Sequence, residues 1–177
     1  MDTCLFLGAG IVPLSDTHRR LPEPDKTGLG FRRARKKEKV NTLLNQQERE
    51  YFVEKCKDIR ALTIDEIATL GVGHLGGCMS VVEIMVMLYY KHMNIDPKNP
   101  KMEGRDRLVL SKAHAGPTLY AILADKGYFD KSELKTLNQP GTHLPSHANM
   151  VLTTGVDMTA GSLGQGLSCA TGAAIGS

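Results

Sequence analysis

Residues 107–127 read "RLVLSKAHAGPTLYAILADKG", and this stretch decides the fold class. "RLVLS" (107–111) is a short apolar run behind charges, which suits a buried strand. "SKAHAG" leaves that strand. Pro117 then stands in the first turn of a helix, where its missing N–H costs nothing, and Gly127 stands at the stop. A strand feeding a helix through a polar turn is a unit of an α/β domain with a mostly parallel sheet. In open α/β sheets ligands gather beyond the carboxyl ends of strands, so His114 is well placed for chemistry.

Upstream, Asn45 to Leu70 is helical by pattern: Phe52, Cys56, Ile59, Thr63, Ile67 and Leu70 recur at three- and four-residue spacing. The loop "GVGHLGG" (71–77) follows. Ser80 with Glu83 gives a capping-box signal for the apolar helix "VVEIMVMLYYKHM" (81–93), whose methionines are expected to fill core gaps. "NIDPKNPKMEGRD" (94–106) is turn chemistry. Downstream come a short helix "KSELKTLN" (131–138), a long Pro/Gly/His-rich loop (139–157) and a final helix of small residues from Leu163 onward.

The chain has 177 residues, 41% hydrophobic and 23% charged, ordinary for a soluble globular protein. No apolar run reaches the ~18 residues of a transmembrane helix, and Asp2 replaces the basic start of a signal peptide, so a cytoplasmic location is expected. The four cysteines, at 4, 56, 78 and 169, lack metal or CxxC spacing and read as small buried hydrophobes. Residues 1–40 carry nine Lys/Arg against five Asp/Glu, concentrated in "FRRARKKEK". With one neighbouring aromatic, Phe31, this reads as a solvated, disordered extension rather than a nucleic-acid arm. "FLGAGIV" begins like a dinucleotide-binding turn, but Pro13 takes the next glycine position.

The glycine and histidine clusters carry the chemistry. Gly71, Gly73 and Gly76 match G-x-G-x-x-G, yet a helix precedes them where a dinucleotide site needs a strand. A loop whose bare backbone passes close to something fits better, with His74 held among its glycines. His143 and His147 are four apart, but Pro145 between them removes a shared helix face. "AGSLGQG" (160–166) opens the last helix. Unpaired N–H groups and glycines there suit an anion or a flat heterocycle, and equally suit tight helix packing.

Taken together, "GVGHLGGCMSVVEIMVMLYY", "RDRLVLSKAHAGPTLYAIL", "LPSHANM" and "TGVDMTAGSLGQGLSCATGAAIG" resemble the N-terminal, thiamine-diphosphate-binding domain of transketolase, closest to its split-chain form. The likeness covers roughly residues 45–177. It implies an α/β, partial thiamine-diphosphate-binding fold: a parallel sheet flanked by helices, helix-rich as far as the chain goes. The organisation is then an extension at 1–40 and the N-terminal part of that domain at 41–177.

The resemblance also implies roles. His74 matches a loop histidine that meets the sugar-phosphate substrate, and His147 one that touches the donor's hydroxyls; these are the expected catalytic residues. His114 matches a cofactor contact, and Gly161, Ser162 and Leu163 match a tripeptide lining the aminopyrimidine end of thiamine diphosphate. Transfer of a two-carbon ketol unit requires a carbanion equivalent, which that cofactor supplies. Ser146, Ala148 and Asn149 depart from the Gly-His-Pro-acid pattern usual around the donor histidine.

In the family a Mg²⁺ ion holds the diphosphate through a Gly-Asp-Gly motif, which this sequence lacks. No metal ligand is therefore expected within 1–177, and the chain is expected to be a partial domain. The expected partner is a C-terminal transketolase subunit or domain, in a homodimer or heterotetramer acting on sugar phosphates, with no membrane. Three rival readings remain: a 1-deoxyxylulose-5-phosphate synthase-like enzyme, a non-catalytic or partner-binding remnant, and nucleic-acid binding through residues 32–39.

Overall fold

The computed structural model describes residues 4–7 and 44–176. The elements run β1 (Cys4–Leu7), α1 (Gln46–Leu70), α2 (Leu75–Met79), α3 (Val82–Met87), β2 (Arg107–Leu110), α4 (Gly116–Lys126) and α5 (Gln165–Gly176). A π-turn, Leu88–His92, continues α3, and 3₁₀ turns occupy Ala113–Ala115 and Lys131–Thr136. Among the described residues the sheet consists of β1 and β2. They run parallel, with Cys4 opposite Arg107 and Leu7 opposite Leu110. Apart from β1, the expectation for residues 1–40 lies outside the described residues.

The apolar stripe read from the sequence is the buried face of α1: Phe52, Cys56, Ile59, Thr63 and Ile67. Its start is fixed by a capping box. Asn45 Oδ1 accepts from Glu48 N at 2.9 Å, and Glu48 accepts from Asn45 N at 3.0 Å. Its end is Gly71, in the left-handed conformation at φ 78°, where a side chain would be strained.

The buried stripe of α1 packs on α4, which has no exposed face over Gly116–Ala124. Tyr120, Ile122 and Leu123 of α4 join Ile59, Val82, Met85 and Leu144 at the centre. Each such side chain stabilises the fold by roughly 1.5–3 kcal/mol. At the edge, Asp125 gathers Lys55 at 3.1 Å, Lys131 at 2.6 Å and the Tyr90 hydroxyl. These partners outweigh burial and lower the Asp125 carboxyl to about 2.

Three local expectations change. "GVGHLGG" is not loop throughout, since the chain turns into α2 at Leu75. Ser80 and Glu83 form no capping box. Val81 is the N-cap of α3 and makes no side-chain cap. The Ser80 hydroxyl instead donates back to Gly77 O at 3.0 Å, and Glu83 pairs with Arg60 across to α1. The short helix at 131–138 is a 3₁₀ turn, capped by Asp130.

Candidate functional site

Three loops converge at the carboxyl end of β2. The first is the Val72–His74 link, where His74 is the N-cap of α2 and is exposed. The second is the turn after β2, where His114 sits half-buried in the 3₁₀ turn. The third is the 143–149 loop, which carries exposed His147. Their rings meet. His74 and His114 have centroids 5.2 Å apart, and His74 and His147 5.7 Å. Residues separated by 40 and 33 positions in the chain thus form one cluster with His74 in the middle.

The second and third loops are held together by named contacts. Tyr120 of α4 donates to Pro145 O at 2.7 Å, and Ala148 N donates to Ala113 O at 3.3 Å. Gly116 allows this closeness, since a Cβ there would lie 3.2 Å from Ala148 N. Ser146 Oγ lies 3.2 Å from His147 Nδ1 and so helps orient that ring. Asn149 Oδ1 accepts from Val151 N at 2.8 Å and Leu152 N at 3.2 Å, which turns the chain after the loop. His143 does not join the cluster; it packs on Phe129 and sits 3.5 Å from Glu133.

Burial first, then the nearby His74, Lys112 and His147, hold His114 below the usual histidine range. The neutral form, which carries one accepting ring nitrogen, is thereby favoured.

Gly161, Ser162 and Leu163 lie in the exposed segment before α5, and nothing stands within 4 Å of a Cβ built on Gly161. No ring contact or hydrogen bond joins them to the histidines among the described residues. What ties this segment to the strand end is Gly166, two residues into α5. A Cβ there would lie 2.7 Å from Ser111 Cα, so the backbone of α5 rests directly on the residue after β2.

One residue of the region, Lys112, went unread in the sequence. Lys112 donates to Gly77 O at 2.9 Å and to Ser80 Oγ at 2.6 Å. Asp157 accepts from Leu108 N at 2.7 Å and pairs with Arg105 at 2.5 Å, fixing β2 to the loop before α5. Among the described residues no group of three His, Cys, Asp or Glu is arranged to hold a metal ion, and no helix is long and apolar enough to cross a membrane.

Residues 53–177 match the family described as transketolase, thiamine diphosphate binding domain. A 6-deoxy-6-sulfo-D-fructose transketolase subunit, SqwG, from Clostridium sp. (strain MSTE9) is 60% identical over 117 residues, 66% of this chain and 42% of that one. Transketolase of Bacillus subtilis (strain 168) is 43% identical over 119 residues, 66% of this chain and 18% of that one. Among solved structures, transketolase from Campylobacter jejuni superposes with a TM-score of 0.63 at 33% identity, covering 71% of this chain and 19% of that one. The chain therefore spans less than half the length of the relatives it matches.

Proposed function

The chain belongs to the transketolase family, in its thiamine diphosphate binding domain, and on that premise we propose that residues 53–177 supply part of the site for thiamine-diphosphate-dependent transfer of a two-carbon ketol unit between sugar phosphates. The observation that carries this reading is the meeting of His74, His114 and His147 at the end of β2. The residues suit the cofactor's ring end: a neutral half-buried imidazole at His114, and open bare backbone at Gly161. They do not suit Mg²⁺, since Asp157 is committed to Leu108 and Arg105. No step is assigned to a metal.

Thiamine diphosphate, when bound, supplies the carbanion equivalent that ketol transfer needs. Gly161, Ser162 and Leu163 then present backbone, a hydroxyl and one apolar side chain to its aminopyrimidine end. His114 contacts the cofactor as a neutral acceptor. His74 and His147, both exposed, face the sugar and move or hold protons at its hydroxyls. A C-terminal subunit or domain completes the site, as the split-chain character of the SqwG relative suggests.

A second reading narrows the substrate. This chain shares more residues with the sulfofructose transketolase subunit than with Bacillus subtilis transketolase over nearly the same span, which favours a 6-sulfonated ketose as donor. One experiment tests both. Residues 53–177 replace the matching segment of Bacillus subtilis transketolase, and cofactor-dependent ketol transfer is assayed with fructose 6-phosphate and 6-deoxy-6-sulfofructose. Activity with either supports the site, and preference for the sulfonate supports the narrower reading. A folded chimera inactive with both refutes the proposal.

A further inference from the structure

Helix α2 spans only Leu75–Met79, contains Gly76 and Gly77, and starts at His74 without a side-chain cap. A helix this short does not fix its own position. Its orientation comes from tethers to the segment after β2. Cys78 Sγ donates to His114 O at 3.7 Å, and Thr118 Oγ1 donates to Cys78 O at 3.0 Å. The other two tethers both start from the Lys112 ammonium, to Gly77 O at 2.9 Å and Ser80 Oγ at 2.6 Å.

We propose that Lys112 is a positioning residue: it clips the end of α2 to the carboxyl end of β2 and so fixes the ring of His114 beside His74 and His147. The role rests on reading those three histidines as the site. The geometry is direct. The carbonyl Lys112 holds belongs to Gly77, and Gly77 presses against His114, where a Cβ would come 2.7 Å from Cδ2. Lys112 therefore sets how deeply the bare face of α2 seats on the ring. Among the described residues no carboxylate pairs with it. The Lys112 cation also opposes protonation of His114, in the same direction as His74 and His147. One side chain thus shapes the cluster and helps keep its half-buried imidazole neutral.

Ring and side-chain NMR on the 177-residue chain tests this. In the unsubstituted chain, cross-peaks are expected between the Lys112 ammonium and the Ser80 side chain, and between the His74 and His114 rings. In Lys112→Met the ring cross-peak should weaken and the His114 titration midpoint should rise. Lys112→Arg, which keeps charge and donors, should restore both. A folded Lys112→Met chain with unchanged ring contact and midpoint overturns the proposal. If that variant unfolds, absence of Lys112–Ser80 cross-peaks in the unsubstituted chain overturns it instead. Neither readout involves the cofactor, so failure of the site reading and failure of the clip are told apart.

Discussion

Gly77 and His114 touch across the gap between α2 and the turn after β2: a Cβ on Gly77 would lie 2.7 Å from Cδ2 and 2.8 Å from Nε2 of the ring. Gly77→Ala should therefore displace the imidazole. The same change adds a better helix former, worth up to about 1 kcal/mol within a helix. Stability and function should part. In the chimera the variant should keep its melting temperature and lose turnover; full activity would show that the contact is not used.

Gly166 meets backbone rather than a mobile ring. A Cβ would press on Ser111 Cα at 2.7 Å, and neither α5 nor the end of β2 yields easily. Gly166→Ala should cost about 1–3 kcal/mol, the usual range for overpacking. Gly172, with open space around it, is the control. Thermal denaturation of both variants checks the contrast, and equal melting temperatures would count against the close approach.

These two glycines also show what was legible in the sequence. "AGSLGQG" left two readings open, a ligand-facing backbone or tight packing. The structure divides the segment: Gly166 packs, while Gly161 stays bare and exposed. Spacing along a chain does not say which glycine faces a neighbour, because the neighbour, Ser111, lies 55 positions upstream.

The stripe of α1 and the Pro117–Gly127 helix were readable because each follows from local periodicity and local stop signals. The meeting of the three histidine rings was not, since it depends on Tyr120 holding Pro145 and on Lys112 holding Gly77. The Ser80–Glu83 capping signal misled for a similar reason. Both side chains had stronger distant or backward partners, Lys112 and Gly77 for one and Arg60 for the other.

Glu66 is a second residue that pattern alone did not expose. It lies on the buried face of α1, 1% exposed, and among the described residues neither carboxyl oxygen has a hydrogen-bond partner. Burial raises its pKa to about 9. The folded state then holds a proton that the unfolded chain releases near 4.5, so the stabilising linkage is full below about 4.5 and is lost as pH rises toward about 9. Glu66→Met should raise the melting temperature, more at pH 8 than at pH 5. A pH-independent difference would contradict a buried neutral acid.

Cofactor affinity is a further check. The proposed contacts from Gly161, Ser162, Leu163 and His114 reach the uncharged ring end, and no metal-holding cluster stands among the described residues. The 177-residue chain titrated with thiamine diphosphate and Mg²⁺ in a calorimeter should show no micromolar binding. Micromolar, magnesium-dependent heat would mean that the diphosphate has a holder within this chain.

The central claim is that the histidine cluster is the reacting site, and His74 is its most telling member. It stands in the middle, within 6 Å of both other rings, and it is exposed, so its loss removes little packing. The measurement is kcat/KM for ketol transfer by the chimera carrying His74→Ala, beside its melting temperature. The account predicts a fall of about 100-fold or more, the scale of a lost proton-transfer group, with the melting temperature unchanged. Unchanged kcat/KM with a lowered melting temperature would contradict it.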